Sequence, residues 1–332
     1  PAGWLLPPVP GADGSSCVPA AGDYSPGAAD DGWAACVSDD GQYHRFDPNI
    51  STRARVAAFE TIAGLLLAGD APSAKAFEDA RVAYAQDQGL ESRVSRREDE
   101  HYPKAAGACA DMTEEEVAAN ADRCVGPARI RPLLNRAFAD GQLGRDPLVN
   151  AARVEAGLLW FLYVSAHKEA TSCATAKKDC DSSYAYYTGG EGPDGDLGLS
   201  HYIRALSAVV HDRVWDGILA VRCWRDLDGA DAAADADMQR KAVAQLDRAL
   251  LRGMALIVLS RVEALRDATC DTTRAAAYWT SVRILGNVLV REAKVRDAAK
   301  GAALEAALAI ETPADADLDA VRSAVEAVFP CP

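Results

Sequence analysis

Glutamates placed on apolar helical faces are the first residues in this chain that could do chemistry. Glu60 shares a face with Val56, Ala63 and Leu67, and Glu155 shares one with Leu158, Leu159, Leu162 and, farther along, Glu169. An unpaired carboxylate is costly to bury, so each must find an arginine, keep its proton or ligate a metal. Arg53, Arg55 and Arg153 are the neighbouring cations that an ion pair would use. Glu98 and His101 in REDEHYP have the ExxH spacing, which places a carboxylate and an imidazole on one helical face as in carboxylate-bridged di-iron bundles. A second ExxH is lacking, and Pro103 follows at once. Solvated charges at a fraying helix end are the competing account.

Two acidic loops offer oxygen donors for calcium. One holds Glu191, Asp194 and Asp196 in GGEGPDGDLG; the other holds Asp226, Asp228, Asp231, Asp235 and Asp237 in RDLDGADAAADAD. Neither keeps the EF-hand register, since Ala230 stands at an odd ligand position and Asp231 where glycine makes the turn. Both also read as solvated acidic linkers. No GxSxG, HExxH, GxGxxG or Walker loop occurs, and five histidines (His44, His101, His167, His201 and His211) give no recognisable triad. No acid, base or nucleophile can be nominated, so the sequence favours a non-enzymatic role.

Helices must position these groups. Val56, Phe59, Ile62, Ala63, Leu66 and Leu67 recur at helical spacing, with Ser51 or Thr52 as cap and Gly69 as stop. A second helix is predicted from Ser73 through Tyr84 towards Glu100. Thr113 and Glu116 have capping-box spacing, predicting a helix over 114–123, and a short helix covers 130–139. Asp146 and Pro147 open a central helix running to Ala170. The segment 173–198, with Tyr184, Tyr186 and Tyr187, reads as a loop. Helices over 199–224, 237–267, 272–311 and 315–329 follow. Residues 1–48 are rich in Pro, Gly, Ser and Asp, with Trp4, Tyr24 and Trp33 available to dock an ordered, irregular arm.

The predicted fold is therefore all-α, a helical bundle of two packed halves (49–190, with the central helix at 147–170, and 191–332) behind a disulfide-stapled N-terminal arm at 1–48. Hydrophobic residues make up 49% but aromatics only 7%, a bias that suits close-packed helices. The same alanine and leucine content serves helix association between chains, so an oligomer fits as well as a monomer. The formal charge of −14 repels nucleic acid and anionic membranes, which excludes them as main partners. The longest apolar run, 156–166, is too short to span a membrane.

Nine cysteines without CxxC or a Cys/His cluster read as disulfides in an oxidising compartment, with one cysteine left over. Neighbours along the chain suggest Cys17–Cys36, Cys109–Cys124 and Cys173–Cys180. Cys223 and Cys270 flank a helical hairpin, and Cys331 closes the tail. Connectivity stays open at this level. The chain begins at Pro1 without a leader, as a mature secreted or periplasmic protein does after its signal peptide is removed.

The apolar helix ending in His167, Lys168 and Glu169, followed by CDSSYAYYTGG, resembles the imelysin-type envelope proteins. The resemblance implies a two-halved helical bundle in the periplasm or outer membrane, associated with iron uptake and marked by a histidine followed three residues later by glutamate. Here Glu169 follows His167 by two residues and position 170 is alanine, so the resemblance covers architecture and supplies no intact ligand pair. The competing account of His167 is a cation at a helix C-terminus. Two functions follow. One is an exported envelope protein with a partner- or ligand-binding role, for which an exposed aromatic patch at Tyr184–Tyr187 or in the arm would be the docking surface. The other is an imelysin-like protein that binds a divalent metal ion, iron or calcium, through Glu60, Glu98, His101, Glu155, His167 and Glu169, which requires those residues to converge.

Overall fold

The computed structural model describes residues 17–28, 30–69, 71–195, 197–227, 236–268 and 271–331. Within them it is all-α: 69% helical, without strands, and built of thirteen packed α-helices. None of these helices is long and apolar enough to cross a membrane. Two compact units form, each assembled from segments distant along the chain. The first takes Ala58–Phe161 and Met254–Pro330; the second takes residues 17–57, Leu162–Gly253 and Cys331.

The first unit contains most of α1 (Thr52–Leu67), then α2 (Ala74–Ala85), α3 (Glu91–Val94), α4 (Glu114–Ala119) and α5 (Arg131–Gln142). It also holds α6 (Pro147–Ser172) up to Phe161, the end of α10 (Ala236–Asp267), and α11 (Thr272–Arg296), α12 (Ala298–Leu308) and α13 (Leu318–Val328). Phe59, Ile62 and Leu66 of α1 meet Ala151, Val154 and Leu158 of α6 around a small void. The capping box forms, Thr113 N–H donating to Glu116 at 2.8 Å and Thr113 Oγ1 accepting from Glu116 N at 3.3 Å. A single π-helical turn, Gly126–Ile130, leads into α5.

Two expected long helices break. The one predicted from Ser73 towards Glu100 ends at Ala85, because the chain doubles back tightly at Gly89, where a Cβ would stand 2.6 Å from the Tyr84 carbonyl oxygen. The helix predicted over 272–311 divides at Asp297, whose carboxylate leaves the helical path to accept from Ala299 N and Lys300 N and start α12.

The second unit holds α7 (Lys177–Thr188), α8 (Gly198–Leu206) and α9 (Ala208–Trp224), with the first part of α10 and the arm. Residues 177–188 were expected in a loop; they form α7 instead, and Tyr184, Tyr186 and Tyr187 are buried in it. A helix expected over 199–224 is interrupted at Ser207, extended at φ −160°, whose hydroxyl caps α9 by accepting from Val210 N. Backbone contact fixes the α9–α10 crossing: a Cβ on Gly217 would lie 2.5 Å from Leu246 Cα.

Four disulfides form, and two correct the sequential pairing. Cys109–Cys124 and Cys173–Cys180 pair as neighbours, but Cys17 bonds Cys331 and Cys36 bonds Cys223. The arm is thus stapled to the chain end and to α9 rather than to itself. Cys270, like Trp4, lies outside the described residues.

Non-covalent contacts complete the arm's docking. Tyr24 exchanges both backbone hydrogen bonds with the Gln245 side chain, at 2.9 and 2.8 Å, and its hydroxyl donates to Asp39. Arg248 donates to both oxygens of Asp23 at 2.6 and 2.7 Å. Trp33 stands edge-on to Tyr24, with ring centroids 5.3 Å apart.

Candidate metal centre

Two of the four sequence-nominated glutamates, Glu98 and Glu155, go to arginines. Glu155 is buried and paired, Arg261 Nη2 donating to its Oε1 at 2.8 Å with both side chains essentially inaccessible. The ion pair expected there exists, but not with Arg53, Arg55 or Arg153. Arg53 reaches Glu191, Arg55 donates to the Ser51 carbonyl, and Arg153 donates to Asn150.

Glu98 and His101 lie on an irregular stretch after α3 rather than on a helical face, and they turn to different partners. Arg123, itself buried, donates Nε and Nη2 to Glu98 Oε2 at 3.0 and 2.7 Å, and also binds Glu100 and the carbonyls of Asp99 and Tyr102. That network fixes the loop that carries His101. The His101 Nδ1 atom lies 2.6 Å from Asp99 Oδ1, with both side chains largely buried. A carboxylate on one ring nitrogen orients an imidazole and raises the basicity of the other, as behind metal-ligating histidines. Glu60 sits half-buried on α1.

In the second unit, His167 is buried five residues before the end of α6, so it is not the helix-terminal cation of the competing reading. One of its ring nitrogens and a carboxylate oxygen of Asp247 on α10 lie within 4.8 Å of each other. Tyr163, one turn before His167, donates its hydroxyl to Asp247 Oδ1 at 3.0 Å. Imidazole nitrogen and carboxylate oxygen are the donors that zinc, manganese and ferrous iron accept, and a hydrogen-bonded carboxylate is the usual supported ligand. Glu169 lies on a different path, with Lys168 Nζ 3.3 Å from its Oε2.

Asp247 was missed in the sequence because it stands in KAVAQLDRALL, where an aspartate between apolar positions reads as a solvated helix charge. Only the turn of α10 that meets α6 shows otherwise. The acidic loops dissolve into ion pairs where they are described. Glu191 pairs with Arg53 at 3.0 Å, Asp194 with Arg204 at 3.3 Å and Asp226 with Arg222 at 3.3 Å. Asp196, Asp228, Asp231 and Asp235 lie outside the described residues.

A second buried histidine has a different use. His211 Nδ1 lies 2.8 Å from the Tyr187 hydroxyl and Nε2 lies 2.7 Å from the Pro193 carbonyl. A neutral ring satisfies both contacts by donating to the carbonyl and accepting from the hydroxyl, and burial holds its pKa below the usual histidine value. It ties Pro193 to α9. No family model matches the chain, and no curated protein or solved structure shows significant similarity to it.

Proposed function

We propose that this is an extracytoplasmic, disulfide-stapled helical protein that binds a divalent transition metal ion through His167 and Asp247, in keeping with the iron-associated role that its imelysin resemblance implies. The convergence of an imidazole nitrogen and a hydrogen-bonded carboxylate carries this reading. Four disulfides support an oxidising compartment, where such bonds persist. Of the two surfaces nominated for partner binding, the one at Tyr184–Tyr187 is buried, since Tyr184, Tyr186 and Tyr187 are at most 3% exposed. Large exposed apolar side chains among the described residues are scattered as Val18, Val82, Leu143, Val295 and Ile310.

The test is elemental analysis by inductively coupled plasma mass spectrometry on native protein purified without chelator or affinity metal, followed by titration with Fe(II), Mn(II) and Zn(II). About one equivalent of metal is expected. His167→Ala and Asp247→Asn should abolish it, and Tyr163→Phe should weaken it by roughly 10- to 100-fold, as loss of an outer-shell partner does. Titrating His101→Ala and Glu98→Gln asks whether the other sequence candidates contribute. Metal-free native protein that takes up none of the three ions overturns the proposal, as does unchanged affinity in both His167→Ala and Asp247→Asn.

A further inference from the structure

The first unit contains a cleft of about 440 Å³, within the size range of small-molecule sites. The loop at 99–102, the stretch 122–129, α6, α11 and α12 line it. Two aromatic side chains contribute, Trp160 from the middle of α6 and Tyr102 from the loop held by Arg123. A phenol is uncharged at neutral pH and burial raises the Tyr102 hydroxyl further, so the ring presents an O–H.

The ionised groups of the cleft balance: Arg129, Arg291 and Lys294 stand against Asp99, Asp122 and Glu305. They are also paired locally. Arg129 bonds Asp122, Lys294 Nζ lies 2.7 Å from Glu305, and Arg291 pairs with Glu292 while its guanidinium lies 6.0 Å from the Tyr102 ring centroid. Asp99 is committed to His101. A small anion or cation entering here meets lining charges of both signs in equal number and must compete with existing pairs. A neutral polyhydroxylated ligand meets neither obstacle, because a guanidinium has five N–H donors and a carboxylate about four acceptor positions, and one ion pair consumes only some of each.

Asn287 adds to the hydrogen-bonding set. Its amide N–H donates to the Arg283 carbonyl at 2.7 Å, which fixes the side-chain oxygen as an acceptor. Flat aromatic rings beside planar, hydrogen-bonding side chains match a pyranose, which has a C–H face for stacking and a rim of hydroxyls. We propose that this cleft binds a neutral saccharide of one or two sugar units. The inference is independent of the metal reading, since none of its arguments uses His167 or Asp247.

Isothermal titration calorimetry on the full chain, pretreated with EDTA, tests it. Glucose, N-acetylglucosamine and maltose serve as probes, with citrate as an anionic and dialanine as a zwitterionic competitor class. Saturable binding of at least one neutral sugar is expected, with citrate and dialanine inert. Trp160→Ala should weaken binding about tenfold, or about 1.4 kcal/mol. Asn287→Ala and Asp122→Asn, at exposed positions that leave the packing intact, should weaken it severalfold with an unchanged circular dichroism spectrum. Silence towards all three sugars, preference for citrate or dialanine, or sugar binding that none of the variants alters would each overturn the proposal.

Discussion

The two units share one helical texture and both contain ion pairs, but they differ in what else their buried polar side chains serve. In the first, charge is cancelled by charge: Arg261 takes Glu155, and Arg123 takes Glu98 and Glu100. In the second, buried polar side chains serve the backbone of an irregular arm. Asp181 on α7 accepts from the Tyr43 hydroxyl and from the backbone N–H groups of Phe46 and Asp47, while Gln245 holds Tyr24. An arm without secondary structure leaves its backbone groups unmatched, and side chains from the helices must supply the partners. Helices satisfy most of their own backbone, so in the first unit side chains serve the backbone only at local breaks, as where Arg123 donates to the Asp99 and Tyr102 carbonyls.

The largest expected effect separates these mechanisms. Arg261→Met removes the guanidinium that donates to buried Glu155, and should destabilise by about 3–5 kcal/mol, read by urea denaturation. The double variant Glu155→Leu/Arg261→Met should recover most of that loss, because both charges are gone. A double variant no more stable than Arg261→Met would mean that packing by the guanidinium, not charge, holds this core.

Next in size, Asp181→Ala removes an acceptor used by three donors and should cost about 2–3 kcal/mol from the backbone groups left unsatisfied. Its signature is local. Hydrogen exchange should rise at Phe46 and Asp47 while α11 and α12 keep their protection. Uniform loss of protection would show that the arm is not a separable layer of the second unit.

The smallest effect is a pH dependence at Asp216, which faces Arg213, Asp212 and Asp23. Burial raises its pKa to about 6, against the opposing pull of Arg213 2.8 Å away. A carboxyl whose pKa is raised on folding binds its proton more tightly in the folded state, so this contribution stabilises at low pH and fades as pH rises from about 4 to 6. Asp216→Asn should flatten that slope and gain about 1–2 kcal/mol at pH 7, part of the gain from removing a buried charge being offset by loss of the Arg213 pair. His211 works in the opposite sense, because its depressed pKa makes acidification below the usual histidine range destabilising. The single variant therefore uncovers a steeper acid loss.

Local signals in the sequence were read correctly where one helix contains the whole cause. The Asp146–Pro147 start predicted α6 to within two residues of its end at Ser172, and the box at Thr113 and Glu116 forms as read. The misses at Ser207 and Asp297 have one origin. Each is a capping residue inside a continuous apolar pattern, and a cap decides a break only when packing redirects the chain there. Burial of the α7 tyrosines was illegible for a related reason, since the run KKDCDSSYAYYT is polar on average and only its neighbours in the fold bury it.

The sequence by itself determined the helical class, most element positions, the use of cysteines as disulfides and the need of Glu155 for a partner, because each follows from residue type and short-range spacing. Only the tertiary structure decided which groups meet. Cys36 with Cys223, Glu155 with Arg261 and His167 with Asp247 are separated by tens of residues or more. Spacing along a chain carries no information about such pairs; the crossing of helices that brings them together is set by the packing of whole faces.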